Sequence, residues 1–176
     1  SLYPQSSPVF NAIFGILATK KCETIIYIQE MSYKSKYKPE NPSKYIGNSA
    51  NIVCRSTWER KVCKYLDKNE NVVRWASEEL AIPYISPVDK KPHRYYPDFI
   101  AEIKEKDGTI QTYLIEVKPY KQTKPPVKRS KVTKTYRMNM KTYMINEAKW
   151  EAAEKLCADN DWKFKILTEK NIFRGK

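Results

Sequence analysis

A chain of 176 residues suits one domain with a single core and some appendage. Its 41% hydrophobic content, with 13 Tyr and 4 Trp, excludes an intrinsically disordered chain, which lacks core-forming aromatics. A net charge of +13 points to a polyanionic partner, either nucleic acid or an anionic membrane surface.

Residues 1–30 are rich in Ser, Pro and Ile and carry only two lysines. Their apolar run, Val9 to Ala18, is shorter than the roughly 20 residues a membrane span needs. No positive charge precedes it, so it is also a poor signal peptide, and no membrane association is expected. Met31 opens a polar, basic stretch and is read as the natural start, with 1–30 an N-terminal extension and 31–176 the working domain. Thr24–Ile28 has the composition of an edge strand.

A helix is predicted over about 56–67, because Trp58, Val62, Tyr65 and Leu66 fall on one helical face. Residues 79–85 read as a strand interrupted by Pro83, hence an edge or a bulge. Residues 94–103 and 110–118 read as two further strands, with Tyr113, Ile115 and Val117 sharing a face of the latter. Lys106-Asp107-Gly108 between them is turn chemistry. A proline-stiffened loop, KQTKPPVK, leads to a basic helix at about 130–144. A second helix is predicted over 147–159 with Asn146 as its N-cap and Trp150, Ala153, Leu156 and Cys157 as its stripe. WKFKIL at 162–167 is the closing strand. Helix, three strands, helix and strand make an α/β fold: a mixed central sheet flanked by helices, with an extra basic helix inserted before the last α–β unit.

The positive charge is concentrated. Residues 119–146 hold Lys121, Lys124, Lys128, Arg129, Lys131, Lys134, Arg137 and Lys141 and no acid, while the remaining chain has 25 bases against 20 acids. Such a segment reads either as a solvated lysine-rich loop or as a nucleic-acid surface, and the total lack of acids favours the second. Cys22, Cys54, Cys63 and Cys157 form no CxxC pair, and His93 is the only histidine, which excludes a zinc site. Scattered cysteines of this kind are expected to be reduced, in a cytosolic setting.

Two short strings carry chemistry: Pro97-Asp98 and Glu116-Val117-Lys118. Residues two apart on a strand share a face, so Glu116 and Lys118 point together while Val117 points inward. Asp98 joins them only in one hairpin register. A two-residue turn at Asp107-Gly108 would pair 98 with 117, on the wrong face. A three-residue turn over 106–108, with Gly108 left-handed in a bulge, sets Asp98 opposite Glu116 and is the register expected. Two carboxylates there suit Mg²⁺, which takes oxygen ligands and keeps several waters. A neighbouring lysine can orient the attacking water or offset charge on phosphate. Glu59 has two readings of equal weight: a further carboxylate for the site, or half of a capping box with Ser56.

Asp98, Glu116 and Lys118, with a literal Pro97-Asp98, resemble the signature of the PD-(D/E)xK nuclease superfamily, and the element order resembles its restriction-endonuclease-like αβββαβ core. NPSKYIGN, RSTWERKVCKYLDKN, HRYYPDF, LIEVKPYKQTKPPVK and KWEAAEKL through FKILTEK resemble, more narrowly, the head-completion nucleases of T4-like tailed phages, over residues 32 to about 173. The resemblance implies a metal-dependent DNA endonuclease acting in head completion after packaging. It implies catalytic Glu59, Asp98, Glu116 and Lys118, and Mg²⁺, with Mn²⁺ able to substitute, on Asp98, Glu116 and the Val117 carbonyl. DNA would be held by Lys121, Lys124, Lys128, Arg129, Lys131 and Lys134. Phage head, portal or neck proteins are the implied partners, and the host cytoplasm or the virion the implied location. Two other functions fit the same fold: a non-catalytic neck or capsid-vertex DNA-binding protein, and a junction-resolving nuclease.

Overall fold

The computed structural model describes residues 34–127 and 131–173. The expected extension 1–30, the Thr24–Ile28 strand, the Met31 start, Cys22, Lys128 and Arg129 lie outside the described residues. A four-stranded sheet forms the centre, its strands in spatial order β3 (Val72–Ser77), β6 (Phe99–Lys104), β7 (Ile110–Val117) and β8 (Lys163–Leu167). The first two pairings are antiparallel and β7–β8 is parallel, so a crossover helix must join the last two strands. Two ribbons flank it, β1 (Ser35–Tyr37) with β2 (Ile52–Cys54) and β4 (Ile82–Ile85) with β5 (Pro92–Tyr95).

Helix α1 (Thr57–Lys68) covers one face of the sheet. Its Val62, Cys63 and Leu66 pack with Phe99, Ala101, Ile103, Ile115 and Val117 and with the fully buried Trp75. Helix α2 (Lys134–Asp159) covers the opposite face, where Trp150, Ala153 and Cys157 meet Leu114, Ile82 and Tyr95. A short α3 (Glu169–Ile172) closes the described chain. Asp67, buried at the end of α1, ties down the segment before β2: it accepts from the Tyr37 hydroxyl (2.8 Å) and from the backbone N–H of Glu40 (2.7 Å) and Asn41 (2.9 Å).

Three expectations need correction. The first strand of the sheet is Val72–Ser77, which the sequence pattern did not reveal; 79–85 instead supplies β4 of a ribbon outside the sheet. A register shift between Val72 and Arg74 breaks the alternation in β3, leaving Val73 and Arg74 exposed and Trp75 and Ala76 both buried. The run 94–103 is two strands, because Tyr96, Pro97 and Asp98 interrupt it: β5 leaves for the ribbon and β6 for the sheet. Pro83 lies in β4 of that two-stranded ribbon, where a missing donor is tolerated.

The basic helix and the helix after it are one element of 26 residues. No Gly or Pro falls between Lys134 and Asp159 to end a helix. Thr133 is the N-cap, its side chain accepting from the Tyr136 N–H at 3.1 Å, while Asn146 lies buried mid-helix. No residue from 134 to 145 is buried. That half extends helically from the packed half by propagation, which costs far less than a new nucleus.

Candidate active site

The β6–β7 hairpin sets the site. The backbone N–H of Glu105 donates to Thr109 O (2.8 Å) and that of Gly108 to Glu105 O (3.0 Å), with Gly108 at φ +86°. Residues 106–108 thus form a three-residue turn ending in a left-handed glycine. Phe99 then pairs with Ile115, and one step further Asp98 stands opposite Glu116. In the other register the two carboxylates would emerge on opposite faces of the sheet.

Period two places Asp98, Ile100, Leu114 and Glu116 on the face under α2. Glu116 is only 3% exposed. Its Oε1 pairs with Lys118 Nζ at 3.1 Å and its Oε2 accepts from the Tyr95 hydroxyl at 2.6 Å. Asp98 is half-buried, and its Oδ2 accepts from the backbone N–H of Val117 at 2.6 Å. Among the described residues no hydrogen bond reaches Asp98 Oδ1. Lys118 is anchored by its backbone N–H, which donates to Leu167 O on β8 at 2.9 Å.

Burial, and then the charge of Glu116, push the Asp98 carboxyl well above the usual carboxylate range, against the opposing pull of Lys118 and the Val117 N–H. Burial lowers Lys118, but the charges of Glu116 and Asp98 outweigh it and the ammonium is held above its ordinary value. Lys118 therefore stays protonated. Tyr95 is raised by burial and by Glu116, so its hydroxyl stays a donor.

Glu59 sits at the N-terminus of α1 and acts as a cap. Its backbone N–H donates to Ser56 Oγ (3.1 Å), while its carboxylate accepts from the Ser56 hydroxyl (2.9 Å) and the Arg55 N–H (2.7 Å). Its charge still acts on Asp98 and Lys118. Among the described residues no three His, Cys, Asp or Glu side chains converge as a metal cluster. Among the expected DNA contacts, Lys121, Lys124, Lys131 and Lys134 are exposed, the first two in the loop after Lys118 and Lys134 opening α2.

Two residues escaped the sequence reading. Tyr95 lies three positions before Asp98 in the same string, yet its role depends on the turn at 96–98 that brings β5 beside the site. Lys149 is half-buried on α2, with Nζ 5.8 Å from the centre of the Tyr95 ring and 5.9 Å from that of Tyr84. Its position just before the buried Trp150 was the available signal.

A mixed sheet flanked by helices, bearing one acid on a strand, a second just before the neighbouring strand and a lysine beside them, is a restriction-endonuclease-like arrangement. The N-terminal family of TnsA-like endonucleases matches residues 69–169, which include Asp98, Glu116 and Lys118 and begin beyond Glu59. The chain belongs to that family. It is also 39% identical, over 146 residues, to the head completion nuclease of Enterobacteria phage T4, a match spanning 81% of this chain and 95% of that protein.

Proposed function

We propose that this nuclease hydrolyses DNA phosphodiester bonds with a divalent cation, Mg²⁺ or Mn²⁺, held by Asp98, Glu116 and the Val117 carbonyl. The observation that carries the reading is the pair of carboxylates set opposite each other where β6 and β7 meet, with an ion-paired ammonium at their side. The donor set fits: it is all oxygen, two carboxylates suffice for a hard cation that keeps waters, and among the described residues no hydrogen bond reaches one Asp98 oxygen. Burial and the charge of Glu116 both raise Asp98, and a bound cation would offset them. Bound there, the cation supplies Lewis acidity and lowers the pKa of its water.

The chain's own residues do the rest. Lys118, kept as an ammonium, donates to the attacking water and offsets the charge that grows on the phosphoryl oxygens; a protonated amine is no base. As the water oxygen bonds to phosphorus, the bond from phosphorus to the leaving sugar oxygen breaks. The water gives up a proton to solvent and the leaving oxygen takes one up. Tyr95 fixes the rotamer of Glu116, and Glu59 tunes the site by its charge while capping α1. Lys121, Lys124, Lys131 and Lys134, with Lys128 and Arg129, hold the DNA backbone. The 39% identity to a phage head completion nuclease supports a role in finishing the packaged head, in the host cytoplasm or on the virion, against head or neck proteins.

The test is incubation of the purified chain with supercoiled, linear, nicked and branched DNA, in Mg²⁺ or in EDTA. Wild type is expected to cut at least one form in Mg²⁺ and none in EDTA, and Lys118→Ala to bind DNA without cutting. Cutting in EDTA, or undiminished cutting by Lys118→Ala, overturns the assignment. Cutting confined to branched DNA would make it a junction resolvase, and binding without cutting a neck protein.

A further inference from the structure

Helix α2 lies over the face that carries Asp98 and Glu116, and its cations are not equivalent. Lys134, Arg137, Lys141 and Lys155 are exposed, whereas Lys149 is half-buried in the seam between α2 and the β4–β5 ribbon. Its Nζ lies over the rings of Tyr84 and Tyr95, and the hydroxyl of Tyr95 is the group bonded to Glu116. Among the described residues, no carboxylate lies within ion-pairing distance of Lys149. At the Tyr95 seam a leucine or methionine would fill the same space without desolvating a charge. An ammonium with no carboxylate partner among the described residues, set over the ring whose hydroxyl holds Glu116, is placed for an anion that arrives from outside.

The anion that the site takes is a phosphodiester. In the transition state its non-bridging oxygens carry one negative charge more than in the diester, and Lys118 supplies a single positive charge. We propose that Lys149 is a second catalytic cation, donating an N–H to a non-bridging oxygen of the phosphate being cut; this rests on the nuclease reading of the site. Burial and the charge of Lys118 lower the Lys149 ammonium from its ordinary value, and Glu116 and Asp98 oppose that fall. Such a cation is weakly solvated and gives a stronger bond to an oxyanion than a surface lysine does.

The proposal is tested with Lys149→Met, which keeps the apolar stem, and Lys149→Arg, which keeps the charge. Single-turnover cleavage at saturating DNA, DNA affinity in EDTA and thermal unfolding are measured on each. Lys149→Met is expected to cut about 100-fold more slowly, the scale of losing one oxyanion donor. Its DNA affinity in EDTA should fall by no more than about tenfold, one phosphate contact. Unfolding should be unchanged, and Lys149→Arg should recover most of the rate. Four outcomes overturn the assignment. In one, Lys149→Met cuts within twofold of wild type while Lys118→Ala is dead. In another, affinity falls while the saturated rate holds, which puts Lys149 on a flanking phosphate. In the third, both variants are slow and unfold early, which makes the residue structural. In the fourth, wild type cuts no DNA with Mg²⁺ or Mn²⁺; the nuclease reading itself then fails and takes this proposal with it.

Discussion

Tyr95→Phe isolates the hydrogen bond that holds Glu116. The substitution deletes one O–H and keeps the ring that packs in the cluster of Ile82, Leu114 and Trp150, so no cavity opens. What is lost is a 2.6 Å bond to a carboxylate that is 3% exposed. A hydrogen bond to a charged group contributes about 1.5–3 kcal/mol. Part of that loss should appear as earlier unfolding of the metal-free protein, since Oε2 would be left buried without a donor. The rest should appear in metal affinity, because a partner that orients a ligand is worth about 10–100-fold. The assay is single-turnover cleavage across a Mg²⁺ titration, paired with thermal unfolding in EDTA. The expected result is half-saturation moved at least tenfold higher, with a rate near wild type at saturating metal. An unchanged titration curve would refute the idea that Tyr95 positions a metal-binding Glu116.

Asp67→Asn should destabilise the fold by about 3 kcal/mol, since an amide cannot accept all three donors that meet the carboxylate. Burial alone would raise Asp67, but the N–H groups of Glu40 and Asn41 and the Tyr37 hydroxyl hold it below the ordinary range. A depressed folded value means stability present above about pH 4 and lost as the pH falls toward the folded pKa. Urea unfolding between pH 3 and pH 7 should show that loss in wild type and less of it in Asp67→Asn. Replacing Lys134, Arg137 and Lys141 with Ala together should lower the magnitude of the salt slope of DNA binding by about two to three, at about 0.9 per phosphate contact. An unchanged slope would remove the first half of α2 from the DNA surface.

The hairpin at the heart of the site was legible because its parts are local. Gly108 after Asp107 sets the turn, the turn sets the register, and the register sets Asp98 against Glu116. The helical face of Trp58, Val62 and Leu66 was equally readable, with Val62 and Leu66 buried and Trp58 packed at the edge. Strand β3 was hidden because its register shift removes the period-two signal. The continuity of α2 was hidden because Asn146 looks like a cap and faces the core instead. Tyr95 and Lys149 depend on contacts between segments more than 20 and 50 residues apart in the chain, which no local pattern encodes. For Glu59 both functional chemistry and capping fitted the sequence, and the hydrogen bonds to Ser56 and Arg55 favour the cap.

The central claim is that Asp98 and Glu116 act as a pair in DNA cleavage. Asp98→Asn removes one charge and keeps the shape of the side chain, and its amide oxygen can still accept from Val117. Single-turnover cleavage of DNA in Mg²⁺ by Asp98→Asn is the most direct measurement. A rate lowered by about 10³-fold or more, with DNA affinity in EDTA kept, is the expected result. Cleavage at the wild-type rate would contradict the account.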